Sequence, residues 1–236
     1  MNNAIAIIAS TNHDDFLDIT IPANKDLYKR YIVVTSPEDI KTQEVCQKYK
    51  IECYTSTGFT HNNSKFNRGR VYNEVIDLLW ADQSDYWVNF LDSDIIVPAE
   101  AKKFFDISDL LDKTLFFGAR RYDCTTKELF DLYKDDWTKL PLLRGFGYGF
   151  FQMFNIKSEI VLKNPYPEYA SSSEGDWVFR NFWGNIVYEP NFDLRGHAEP
   201  NVKDFGTGLL RETPFSVLHL GITGINGAER LTPRFA

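Results

Sequence analysis

The chain has 236 residues, enough for one large domain with a substantial core, and 43% hydrophobic against 25% charged residues excludes intrinsic disorder. A formal net charge of −7 argues against extensive nucleic-acid binding, which depends on phosphate neutralisation, although a local basic patch stays open. Three cysteines, Cys46, Cys53 and Cys124, have no CxxC spacing and leave an odd thiol; they are expected to be reduced, as in a cytoplasmic protein of a bacterium or of a virus in its host's cytosol.

The N-terminal ten residues lack a basic segment, and their apolar run is too short for a signal sequence or a membrane span. Ala4–Ala9 therefore reads as a first buried strand, and no later stretch reaches spanning length. A polar segment runs to Tyr28, and residues 31–35 form a second strand. Ser36-Pro37-Glu38-Asp39 carries helix-start signals, with serine as N-cap, proline at the first helical position and early acids, and Val45, Cys46 and Tyr49 supply an apolar face. Residues 51–55 read as a third short strand. After a loop rich in Gly, Asn and Ser, residues 67–80 place Val71, Val75, Leu78 and Leu79 at helical spacing and feed the apolar run 86–98.

This alternation of strand and helix predicts an α/β protein with a mostly parallel, doubly wound sheet, in which ligands gather at the carboxyl ends of strands. The run 86–98 delivers Asp92, Ser93 and Asp94 at such an end. In an extended segment residues two apart share a face, so the two carboxylates can converge on one hard cation while Ser93 points away. The competing reading is a solvated turn that closes the strand. A bare Asp-x-Asp arises about once or twice by chance in a chain like this, so its setting in a buried run carries the weight.

In the second half residues 114–119 and 148–154 look like strands, separated by a charged, helix-prone stretch over 125–139. Residues 174–183 read as a helix, 186–189 as a strand and 215–220 as a last strand. Aromatic residues reach 15% and concentrate here; they serve either as core or as the walls of a sugar pocket.

Four segments, taken in order, resemble the GT-A glycosyltransferases: the first strand ending in Ser10-Thr11, the helix start Asn67-Arg68-Gly69-Arg70, the element Leu91-Asp92-Ser93-Asp94, and Leu218-His219-Leu220-Gly221. The resemblance covers most of the chain. It implies a Rossmann-like GT-A fold with a smaller acceptor-side subregion, as one domain over 1–236. Residues 1–98 would form the nucleotide-binding half, 99–236 the acceptor half, and 221–236 a C-terminal lid.

It also implies a Mn²⁺ or Mg²⁺ ion held by Asp92, Asp94 and His219 and bridging the phosphates of a nucleoside diphosphate sugar. Oxygen ligands suit such hard cations, and imidazole tolerates Mn²⁺. Ser10, Thr11, Lys65, Arg68, Asp92, Ser93, Gly149 and Arg230 are the residues it assigns to the donor. Glycine-rich Arg144 to Phe154 would let the backbone approach the substrate closely, with a tight turn as the alternative. Glu174-Gly175-Asp176 is similar to the acidic helix start that carries the base in inverting members. Asp176 is thus the base candidate and Glu174 its alternative, against a plain role at the helix N-terminus.

The implied activity is transfer of a hexose or pentose to an acceptor hydroxyl on a glycan, a protein or a modified nucleobase, leaning towards inversion. Nucleotidyl transfer is a rival, although Ser10 to Asp15 is acidic where that chemistry usually places a basic, glycine-rich signature. A silent sugar- or nucleotide-binding module is a rival of another class, distinguished by the lack of donor hydrolysis.

Overall fold

The computed structural model describes residues 4–81, 86–105, 114–144, 149–163, 165–168, 172–184, 186–187, 201–202, 209–221 and 234–235, with the side chains of 172–174, 177, 186–187, 201–202 and 209 left aside. In chain order the strands are β1 (Ala4–Ala9), β2 (Arg30–Thr35), β3 (Glu52–Thr55), β4 (Trp87–Leu91), β5 (Ile95–Ile96), β6 (Thr114–Phe117), β7 (Arg120–Cys124), β8 (Leu142–Arg144), β9 (Phe151–Asn155), β10 (Ile186–Val187), β11 (Asn201–Val202), β12 (Leu209–Glu212) and β13 (Val217–Leu220). The helices are α1 (Asp14–Asn24), α2 (Ile40–Tyr49), α3 (Arg68–Ala81), α4 (Ala101–Phe105), α5 (Lys127–Tyr133), α6 (Glu159–Lys163) and α7 (Ser172–Trp183).

A seven-stranded sheet has the order β12-β6-β9-β4-β1-β2-β3. Its pairs are parallel except for the two made by β9, which runs against β4 and β6. The chain builds β1, β2 and β3 outward in one direction and then returns to place β4 on the other side of β1. That reversal makes the carboxyl ends of β1 and β4 a switch point, where a crevice is expected and ligand sites in such sheets generally lie.

Both faces of the sheet are covered, and the two-residue strand period shows how. Ile5, Ile7, Ile32, Val34, Val88 and Phe90 pack with α3 and α7, whereas Ala4, Ala6, Ile8, Tyr31, Val33 and Leu91 pack with α1, α2 and α4. Tyr72 of α3 stacks on Phe90 of β4, rings parallel and 3.9 Å apart, which fixes the start of α3 beside the end of β4. A second sheet, β5-β13-β7-β8, covers a smaller cluster of Phe16, Ile96, Leu218, Leu220 and Phe235.

Several sequence expectations are corrected. The polar segment before Tyr28 contains α1, whose buried Phe16, Leu17, Thr20, Ile21 and Asn24 follow helical spacing. Pro22 lies inside this helix and cannot donate to the Asp18 carbonyl, which accepts from the Tyr49 hydroxyl instead at 2.9 Å. Helix α2 starts later than its serine suggested. Asp39 is the N-cap, accepting from the Thr42 amide, because residues 36–39 close a turn of their own. Strand β7, beside the helix-prone stretch, was masked by its charged residues. Among the described residues no helix is long and apolar enough to cross a membrane.

Candidate active site

Asp92, Ser93 and Asp94 form a turn rather than extended strand, since β4 ends at Leu91 and the Ile95 amide donates to the Asp92 carbonyl. The two carboxylates have different partners across this turn. Helix α1 pins this turn from beneath: the Thr20 hydroxyl donates to the Ser93 carbonyl at 2.9 Å, and the Asn24 amide donates to the Ile95 carbonyl and accepts from the Val97 amide. All of these groups are buried or nearly so, and the chain path at the turn is set by side chains of the segment that read as merely polar.

Asp94 faces His219. Strand β13 lies between β5 and β7, with His219 opposite Ile95 on one side and opposite Asp123 on the other. The imidazole consequently sits between two carboxylates, Nε2 3.4 Å from Asp94 Oδ2 and Nδ1 3.1 Å from Asp123 Oδ1. Burial works against charge on His219, but the two aspartates outweigh it and push its pKa up to about 9. Burial likewise works against the Asp94 carboxylate, and His219 with help from His13 and Arg121 brings it below the usual range. His13, whose Nδ1 is 3.5 Å from the Ser93 hydroxyl, and Asp123 are site residues that the sequence reading missed. Two residues beyond His219, Gly221 adopts φ 98°, a left-handed conformation that favours glycine, and turns the chain away from β13.

Asp92 pairs with a different group. Arg68, at the first position of α3 and buried, reaches Asp92 Oδ1 at 2.6 Å and also pairs with Asp176 Oδ2. Asp176 is 4% exposed and accepts further from Tyr166 and, at 2.8 Å, from the Gln152 amide. Burial opposes charge on Arg68, but Asp176 and Asp92 outweigh it and the guanidinium stays protonated. Burial raises the Asp92 pKa, as do its acidic neighbours, while Arg68 pulls it down.

The base candidate Asp176 is thus placed as the buried partner of Arg68, with both oxygens occupied rather than presented to a hydroxyl. Gly149 lies against the same carboxylate. A Cβ there would lie 1.7 Å from Asp176 Oδ2, so the missing side chain makes room for that carboxylate. The Glu174 side chain, Arg230 and the lid beyond Gly221 lie outside the described residues.

Of the remaining donor candidates, Ser10 directly follows β1, fully buried, with no hydrogen-bond partner for its hydroxyl among the described residues. Thr11 follows half-buried, Ser93 is buried in the turn, and Lys65 is exposed. Among the described residues no three or more His, Cys, Asp or Glu side chains are drawn together as a ready cation site. Asp94 and His219 do converge, however, and Asp94 Oδ1 is buried with no hydrogen-bond partner among the described residues. A buried carboxylate oxygen without a donor carries a cost that a cation would remove. The donor set, one carboxylate and one imidazole, fits a divalent ion such as Mn²⁺.

No protein-family model and no curated protein matches the chain. Among solved structures it is similar to a glucosyl-3-phosphoglycerate synthase from Mycobacterium tuberculosis. One crystal structure of that protein aligns at 12% identity over 98% of this chain and 74% of the other, with a TM-score of 0.47. The complex with uridine diphosphate aligns at 11% identity over 74% of this chain and 64% of the other, with a TM-score of 0.44, so the match spans just under two thirds of that protein. A complex with Mn²⁺, uridine diphosphate glucose and glycerol 3-phosphate gives 11% identity, 77% and 67% coverage and a TM-score of 0.45. At such values the chemistry has to be argued from the residues themselves.

Proposed function

We propose that the chain is a metal-dependent glycosyltransferase of GT-A type, which moves a sugar from a nucleoside diphosphate to an acceptor hydroxyl. The observation that carries this reading is the convergence of Asp94 and His219, with Asp94 Oδ1 buried and lacking a donor, in the crevice where the strand order reverses. Asp94 and His219 would hold Mn²⁺ or Mg²⁺, with Asp92 beside them through its anchor on Arg68. When bound, the ion neutralises charge on the departing diphosphate. The orphaned Ser10 hydroxyl and Thr11 face the nucleotide at the end of β1, and the nucleotide half is residues 1–98. Residues 99–236 would supply the acceptor side.

Arg68 keeps Asp92 ionised and oriented, and Asp176 holds Arg68. An inverting reaction through Asp176 requires its contacts with Arg68, Tyr166 and Gln152 to open. Glu174, earlier on the same helix, is the alternative base, and a retaining reaction needs neither. The reading is tested by screening nucleoside diphosphate sugars for hydrolysis and transfer with Mn²⁺ and in excess chelator. Metal-dependent release of the diphosphate is expected, and the anomer of the product decides the stereochemistry. Absence of turnover and of binding across the panel would overturn the reading.

A further inference from the structure

We propose that Asp123 is a positioning residue that holds the His219 ring and its Nδ1 proton so that Nε2 is left facing Asp94 and an incoming cation. The inference rests on the cation site proposed above. Its basis is the ladder itself: Asp123 and His219 are direct partners across the parallel pair β7 and β13, and side chains at paired positions share a face. Asp123 Oδ1 lies 3.1 Å from Nδ1, and it is fixed from its own strand by Arg121, whose Nε is 2.9 Å from the same oxygen. Arg121 is itself 4% exposed, with its guanidinium over the Phe150 ring.

Each nitrogen faces a carboxylate, which favours a proton on both, but a ring that ligates a metal is neutral, with one donor and one acceptor, and has given one proton up. Which nitrogen carries the proton therefore decides whether the site is open. With the proton on Nδ1, donated to Asp123, the Nε2 lone pair is directed to the side of Asp94. With the proton on Nε2, His219 donates to Asp94 and occupies the carboxylate that the cation needs. The two aspartates are unequal in a way that selects the first state. Asp123 sits in a strand and is clamped by a buried arginine, whereas Asp94 sits in a turn and has an oxygen without a hydrogen-bond partner among the described residues. Outer partners of this kind fix the tautomer and orientation of metal-binding histidines.

The test uses the full chain and Mn²⁺ itself, titrated by electron paramagnetic resonance with and without uridine diphosphate, for wild type, Asp123→Ala and Asp123→Asn. Asp123→Ala removes the acceptor and is expected to weaken Mn²⁺ binding by about 10- to 100-fold. Asp123→Asn keeps an acceptor oxygen for the Nδ1 proton and should recover most of that loss. Unchanged Mn²⁺ affinity in Asp123→Ala, or equal losses in both variants with circular dichroism unaltered, would overturn the proposal. A second readout separates this inference from the site on which it rests. The proton spectrum of metal-free wild type and of Asp123→Asn should show a low-field His219 Nδ1–H resonance that Asp123→Ala lacks. Its presence with no Mn²⁺ binding by wild type would sink the cation site while leaving the Asp123 contact established, and its absence from wild type would refute the contact.

Discussion

Two buried charged clusters flank the Asp92–Asp94 turn, and they are built to opposite ends. Around Asp176 the groups close on one another: Arg68, Tyr166 and Gln152 supply donors to both carboxylate oxygens, and Gly149 makes the room. Around His219 two aspartates share one imidazole, and Asp94 Oδ1 has no hydrogen-bond partner among the described residues. Each cluster holds a polar atom orphaned among the described residues, Gln152 Oε1 in the first and Asp94 Oδ1 in the second. The carboxylate of Asp176 is nevertheless fully engaged while that of Asp94 is not, and an open carboxylate oxygen is the group that suits a cation. The contrast also shows why ionisable residues near a crevice cannot all be read as catalytic. Asp176 and Asp94 look alike in the sequence, and only their partners distinguish them.

If the first cluster is structural, breaking it should give the largest loss of stability. Asp176→Ala removes one of the carboxylates that hold buried Arg68, and is expected to cost about 3–5 kcal/mol in urea denaturation. A near-normal midpoint would return Asp176 to the candidates for chemistry. The second cluster should respond in function instead: Asp94→Asn is expected to lower turnover on the order of 10²-fold or more while costing far less stability than Asp176→Ala.

The turn between the clusters should show an intermediate effect. Asn24→Leu strips the Ile95 carbonyl and the Val97 amide of their buried partner and should destabilise by about 1–3 kcal/mol. Mn²⁺ affinity should fall with it, since the turn carries Asp94. Thermal unfolding and Mn²⁺ titration of the same variant would check both.

The pH dependence sharpens the comparison further. His219 is raised from 6.5 to about 9, so its ion pairs stabilise the fold fully below about pH 6.5, and this contribution is lost as pH rises through 9. Cation binding has the opposite sign, because the ion must displace the proton. Mn²⁺ affinity is expected to rise by about one decade per pH unit between pH 7 and 9 and then level off, and a flat profile by titration calorimetry would show that His219 is not a ligand.

Much of this arrangement was legible in the sequence. Strands β1, β2 and β4 and helix α3 announce themselves by apolar runs and helical spacing, and their alternation implies the parallel half of the sheet. The end of β4 and the end of β13 were recognisable as places where Asp94 and His219 emerge. Their convergence was implied by the family resemblance alone and not by spacing, because it depends on β13 inserting between β5 and β7, a pairing of segments far apart in the chain. Asp123 stayed hidden for the same reason. Arg68 was visible as a basic helix start, but its buried pairing with Asp176 comes from tertiary packing that brings α3 against α7. Helix α1 was obscured by Pro22 and its acidic first turn, although Phe16, Leu17, Thr20, Ile21 and Asn24 carried the periodicity that would have revealed it.

The most direct test of the central claim is calorimetric titration of a panel of nucleoside diphosphates into the full chain, wild type beside Asp94→Asn, with Mn²⁺ and in excess chelator. The account predicts that at least one nucleoside diphosphate binds wild type with Mn²⁺ present, and that this binding is lost in chelator and strongly weakened in Asp94→Asn. Equal affinity in chelator, or in the Asp94→Asn variant, would contradict it.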